Sequence, residues 1–103
     1  MNKTLIITVA STLLILSNFA TAGDIAAGKE LSVKCMSCHG VDGISSNPTA
    51  PNVAGKDIAY LADKIHAYQD GSIDNPLMKS MVGSLSATDI DNLASYYNSL
   101  SGQ

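Results

Sequence analysis

The chain has 103 residues, a formal net charge of −3, a hydrophobic fraction of 46% and a charged fraction of 15%. That length holds one domain and excludes a large enzyme with a cleft between lobes. Six lysines stand against nine acidic residues, arginine and tryptophan are absent and aromatics are 5%, which argues against the clustered base of a nucleic-acid binder and against an aromatic-rich recognition surface.

Residues 1–22 read as a secretory signal peptide. Lys3 is a short positive region, Leu5–Leu16 is an apolar run, and Ala20-Thr21-Ala22 is an A-x-A cleavage pattern. The run is short for a bilayer span, and Asp24 ends the apolar stretch, which argues against the alternative of an uncleaved anchor. Cleavage after Ala22 leaves 81 residues with five lysines against nine acidic groups, a net charge of −4. The expected location is a bacterial periplasm, with no stable membrane insertion afterwards. A domain of that size makes a marginal apolar core and needs a staple.

Asp24 is the expected cap of a first helix running to about Cys38, with Ala27, Leu31 and Cys35 on one face and Gly40 as its stop. Both cysteines fall at its end, in Cys35-Met36-Ser37-Cys38-His39. A disulfide here closes a tiny loop and restrains the unfolded chain little. A thioredoxin-type pair wants a preceding strand in a βαβ unit, which the sequence does not offer. Structural zinc wants a second ligand pair, and His66 is the one other histidine. Two thiols one turn apart can instead form thioethers with the two vinyl groups of a haem, leaving the adjacent His39 imidazole as a ligand of the iron. Covalent haem c is the expected cofactor, and its macrocycle is the missing staple.

Residues 40–56 are expected as loop, punctuated by Gly40, Gly43, Pro48, Pro51 and Gly55. Asp57 is the expected cap of a second helix, Ile58–Gln69, with Ile58, Leu61, Ile65 and Tyr68 as its stripe and Gly71 after it. Residues 72–85 are expected as a second loop, with a short turn around Leu77–Val82. Ser86-Ala87-Thr88-Asp89 is a capping box. It opens a third helix to about Leu100, striped by Ile90, Leu93, Tyr97 and Leu100. The fold class is therefore all-α, without a sheet.

The other face of the iron decides the chemistry: open, it binds gases or peroxide; closed, it carries electrons. Met36 lies between the cysteines and does not reach the opposite face. Met78 and Met81 lie in the second loop, about forty residues downstream, where a flexible thioether can reach the iron. Met78 is the leading candidate, Met81 the second. A core role for both, or ligation by His66 on the flank of the second helix, are the alternatives.

These residues resemble class I c-type cytochromes of the small bacterial periplasmic monohaem type, a fold that also forms each half of the dihaem cytochromes c. The resemblance runs from Asp24 to Leu100. It is carried by Gly28-Lys29, Cys35-Met36-Ser37-Cys38-His39-Gly40, Asp42-Gly43, Pro51-Asn52-Val53-Ala54-Gly55, Tyr60-Leu61, Met78-Lys79-Ser80-Met81, Leu85-Ser86 with Asp89-Ile90, and Tyr96-Tyr97. It implies that residues 23–103 form one cytochrome c domain of three main helices, with long loops wrapped around one covalently bound haem. It implies that Met78, first in M-x-x-M, is the axial ligand opposite His39. It also implies that the Pro51 carbonyl accepts the Nδ1–H of His39 and orients the ring. Lys56 and Ile73 depart from the residues common at those positions, glutamine and arginine. Without any arginine, contacts to the haem propionates fall to lysine, tyrosine, asparagine or backbone.

The function so implied is a periplasmic one-electron carrier, not an enzyme. The expected partners are redox proteins met transiently, a membrane-bound donor and a terminal oxidase or reductase, with the chain a monomer or weak dimer. Alternatives are a cytochrome subunit of a larger redox enzyme, or a gas- or peroxide-reactive haem protein if no methionine binds the iron.

Overall fold

The structure is a computed structural model that describes residues 23–102. The leader expected at residues 1–22 lies outside them. Asp24 caps the first helix as expected, its carboxylate accepting from the Ala27 amide at 3.2 Å. The helical ribbon then runs to His39, though not as one uniform helix. Helix α1 is Ile25–Leu31, a 3₁₀ segment covers Ser32–Cys35, and α2 is Met36–His39. Ser32 is fully buried, and its hydroxyl donates to the Lys29 carbonyl at 2.6 Å. A side chain that takes a carbonyl three residues back competes with the α ladder at that turn. The tighter winding that follows changes the phase in which Cys35 is presented.

Helix α3 is Ile58–Asp70 and ends at Gly71, φ 80°. Asp57 occupies the cap position, but its side chain makes no cap bond; that expectation is corrected. Leu61 is buried and Ile65 and Tyr68 are half-buried, whereas Ile58, at the open end of the stripe, is exposed.

The short turn expected around Leu77–Val82 within the second loop is a two-turn helix, α4, Pro76–Val82. Asn75-Pro76 reads as a breaker pair, but here it is a start signal. The Asn75 side chain accepts from the Met78 amide at 3.0 Å, and Pro76 takes the first helical position, where its missing N–H removes nothing.

Helix α5 is Ala87–Ser99, opened by the reciprocal box of Ser86 and Asp89, both bonds 3.0 Å. Replacing Ser86 by alanine is expected to destabilise the protein by about 1 kcal/mol. The thermal midpoint of a domain this size should then fall by about 4–8 °C. An unchanged midpoint in calorimetry would show that the box does not hold the helix.

Helix α5 is the centre of the fold. Three of its four stripe residues, Ile90, Leu93 and Tyr97, are buried as expected, while Leu100 is half-buried just past the helix; Ala94, Ser95 and Tyr96 are buried as well. The cause is that it is covered on two sides, by α1 on one and by α3 on the other. Gly28 is where α1 crosses: a Cβ built there would lie 2.0 Å from the Asn92 carbonyl oxygen. The Asp24 amide donates to the Asn92 side chain at 2.8 Å and fixes the same crossing. Among the described residues every regular element is helical. Leu61, Val82 and Leu85 pack with the α5 residues into one core.

Candidate functional site

The ribbon delivers Cys35, Cys38 and His39 to one place. Both cysteines are half-buried free thiols, not a disulfide. Burial raises the Cys35 thiol above its ordinary value, against the opposing influence of Tyr97 and Lys34. His39 ends α2 and is buried. Its Nδ1 lies 2.8 Å from the Pro51 carbonyl oxygen. A carbonyl accepts only, so Nδ1 carries the ring proton, and Nε2 is left with the lone pair that a metal requires.

The loop after α2 sets that carbonyl in place. Gly40 turns the chain out of the helix at φ 88°, where a Cβ would lie 2.0 Å from the Ile44 carbonyl oxygen. The Gly43 carbonyl accepts from the amides of Val53 and Ala54, at 2.9 and 3.1 Å. Ser45 closes the loop onto the cysteines: its amide donates to the Asn52 side chain at 2.7 Å and its hydroxyl to the Cys38 carbonyl at 2.8 Å. At the far end, the Gly55 amide donates to the Tyr97 carbonyl at 2.9 Å. Pro51 is thereby bracketed by backbone bonds.

Two cavities open to solvent adjoin these residues, and both are lined by Cys35, His39, Pro51, Tyr68 and Met78. Cys38 and Met81 line the first alone; Leu61, Ile65 and Val82 line the second alone. Met78 is half-buried in the first turn of α4 and reaches both cavities, whereas Met81, one turn on, reaches one. Met36 and His66 line neither, and His66 is exposed.

The residues fit a haem. The donor set is a nitrogen lone pair and a thioether, the attachment points are two thiols, and the walls are largely apolar. Tyr97 lines the second cavity, and its hydroxyl is buried without a hydrogen-bond partner. Burial raises its pKa, and the neighbouring Cys35 adds to the shift. Lys34 and Lys64 also line the cavities, so cations are available to carboxylates there in a chain without arginine. The role of Tyr97 at this wall is a feature that the sequence did not single out, because it reads there as one more stripe residue.

Comparison with known proteins agrees. The Cytochrome c family matches residues 25–101. Cytochrome c-554(548) of Halomonas halodenitrificans is 42% identical over 81 residues, covering 76% of this chain and 98% of that one. Cytochrome c4 of Pseudomonas aeruginosa is 35% identical over 99 residues, covering 96% of this chain and 49% of that one. The solved structure of Acidithiobacillus ferrooxidans cytochrome c4 is similar with a TM-score of 0.70 at 24% identity, over 79% of this chain and 53% of that chain. At that identity the likeness is one of fold. The chain spans about half the length of these cytochromes c4.

Proposed function

Since the chain belongs to the cytochrome c family, whose haem c is covalently bound, we propose that it is a periplasmic one-electron carrier with His39 and Met78 as the axial ligands. When bound, the haem supplies a one-electron iron couple. Cys35 and Cys38 would anchor it as thioethers. His39 presents Nε2 because the Pro51 carbonyl holds the proton on Nδ1. The observation that carries this reading is that both cavities share five wall residues: Cys35, His39, Pro51, Tyr68 and Met78. One thiol, the oriented imidazole and one thioether thus border the same space. A thioether opposite histidine raises the potential and closes the iron to small ligands.

The apolar side chains that α3, α4 and α5 bring to these walls would limit water around a bound haem, so a charge change there would meet fixed dipoles more than moving solvent. Reading residues 1–22 as a cleaved leader puts the carrier in the periplasm. Among the described residues no helix is long and apolar enough to cross a membrane. The acidic net charge of residues 23–103 favours redox partners with a cationic docking patch, met in small transient contacts.

The test is the absorption spectrum of exported holoprotein, oxidised and reduced, with and without carbon monoxide. The expected result is a low-spin c-type spectrum with a weak sulfur-to-iron charge-transfer band when oxidised, unchanged by carbon monoxide. A high-spin spectrum that shifts with carbon monoxide would overturn the axial pair and favour a gas- or peroxide-reactive protein.

A further inference from the structure

Gln69 has no part in the site described above, yet it is bonded to the element that carries Met78. It stands half-buried on the last turn of α3. Its Nε2 donates to two backbone carbonyls, that of Val82 at 2.8 Å and that of Leu85 at 2.9 Å. Val82 is the last residue of α4, and Leu85 lies in the turn to α5. One amide group therefore spends one hydrogen on the last carbonyl of α4 and the other on the turn that follows it.

That end needs an outside donor. A helix leaves its last carbonyls without internal partners, and a seven-residue helix does not hold itself in water. At its N-terminus α4 has the Asn75 cap and Pro76. At its C-terminus the Leu85 amide reaches the Val82 carbonyl at 3.1 Å, and Gln69 supplies the bonds that cross to another helix. Met78 and Met81 stand between these two fastenings.

We propose that Gln69 is a positioning residue that latches α4 to α3 and so keeps the Met78 thioether at the site. The role rests on the reading of Met78 as the iron's ligand. It acts by donor capacity: two N–H groups aimed at two carbonyls. Val82 and Leu85 also hold this end in the core, so loss of the latch raises the frequency with which α4 opens as a unit while α1, α3 and α5 stay packed.

The experiment follows the sulfur-to-iron charge-transfer band of oxidised holoprotein against urea, with far-UV ellipticity recorded on the same samples. The variants are Gln69→Leu, which keeps bulk and donates nothing, and Gln69→Lys, which restores a donor. Met78→Ala serves as reference. The expected result for Gln69→Leu is early loss of the band while the helices remain. Two neutral hydrogen bonds correspond to an opening constant raised about tenfold or more. Gln69→Lys should return the band midpoint toward the wild-type value. If Gln69→Leu loses band and helicity together at the wild-type separation, or if Gln69→Lys behaves as Gln69→Leu does, the latch is overturned and the axial reading stands. If Met78→Ala retains the band, the axial reading fails, and the latch fails with it.

Discussion

Replacing Met78 by alanine is expected to abolish the sulfur-to-iron band, open the iron to carbon monoxide and lower the midpoint potential by a few hundred millivolts. That shift is a fraction of the about 0.8 V range that axial ligands set. The direction follows from removing a thioether that favours the reduced iron. Met81 is the natural substitute, being one turn further along α4, but it borders the first cavity alone. The expectation is therefore that Met81 does not replace Met78, and that Met81→Ala leaves band and potential close to wild type. Potentiometry and a carbon monoxide titration on the two variants decide the matter. An unchanged spectrum in Met78→Ala, with the band lost in Met81→Ala, would move the ligand one turn.

The largest loss of stability is expected from Gly28→Ala. Alanine normally favours a helix over glycine by up to about 1 kcal/mol. Here the new Cβ would lie 2.0 Å from the Asn92 carbonyl oxygen and 2.8 Å from the Tyr96 Cβ. The nearest obstacle is backbone and does not rotate away, so α1 and α5 must separate along their crossing. Overpacking of this kind costs about 3 kcal/mol, at the upper end of its usual range, and outweighs the propensity gain. The thermal midpoint should fall by about 12–24 °C. A midpoint equal to wild type would show that α1 crosses α5 with room to spare. The substitution lies away from the cavity walls, so the spectrum of the folded fraction should be unaltered.

Several features could be read before any coordinates. The pentapeptide Cys35-Met36-Ser37-Cys38-His39 carries its chemistry in its spacing, since two thiols one turn apart with an adjacent imidazole need no distant partner to be recognised. The cap of α1 at Asp24 and the box of Ser86 and Asp89 are likewise local, each closed within three residues. The stripes of α3 and α5 follow from helical period, and so does the all-α class.

Other features were settled by contacts far apart in the chain. Asn75-Pro76 looks like a breaker until α4 has a core to pack against; then the same pair is a cap and a first turn. The 3₁₀ segment is tied to the burial of Ser32, which period does not reveal. The Gln69 bonds join residues 13 and 16 positions apart, and no motif marks them. Which methionine borders both cavities depends on how α4 docks. The sequence by itself thus determined what closes within a turn or two: the haem-attachment motif, the caps and the helical faces. Tertiary structure alone decided the short helix, the break in the first ribbon and the lining of the cavities, because non-local packing and crossing hydrogen bonds hold them.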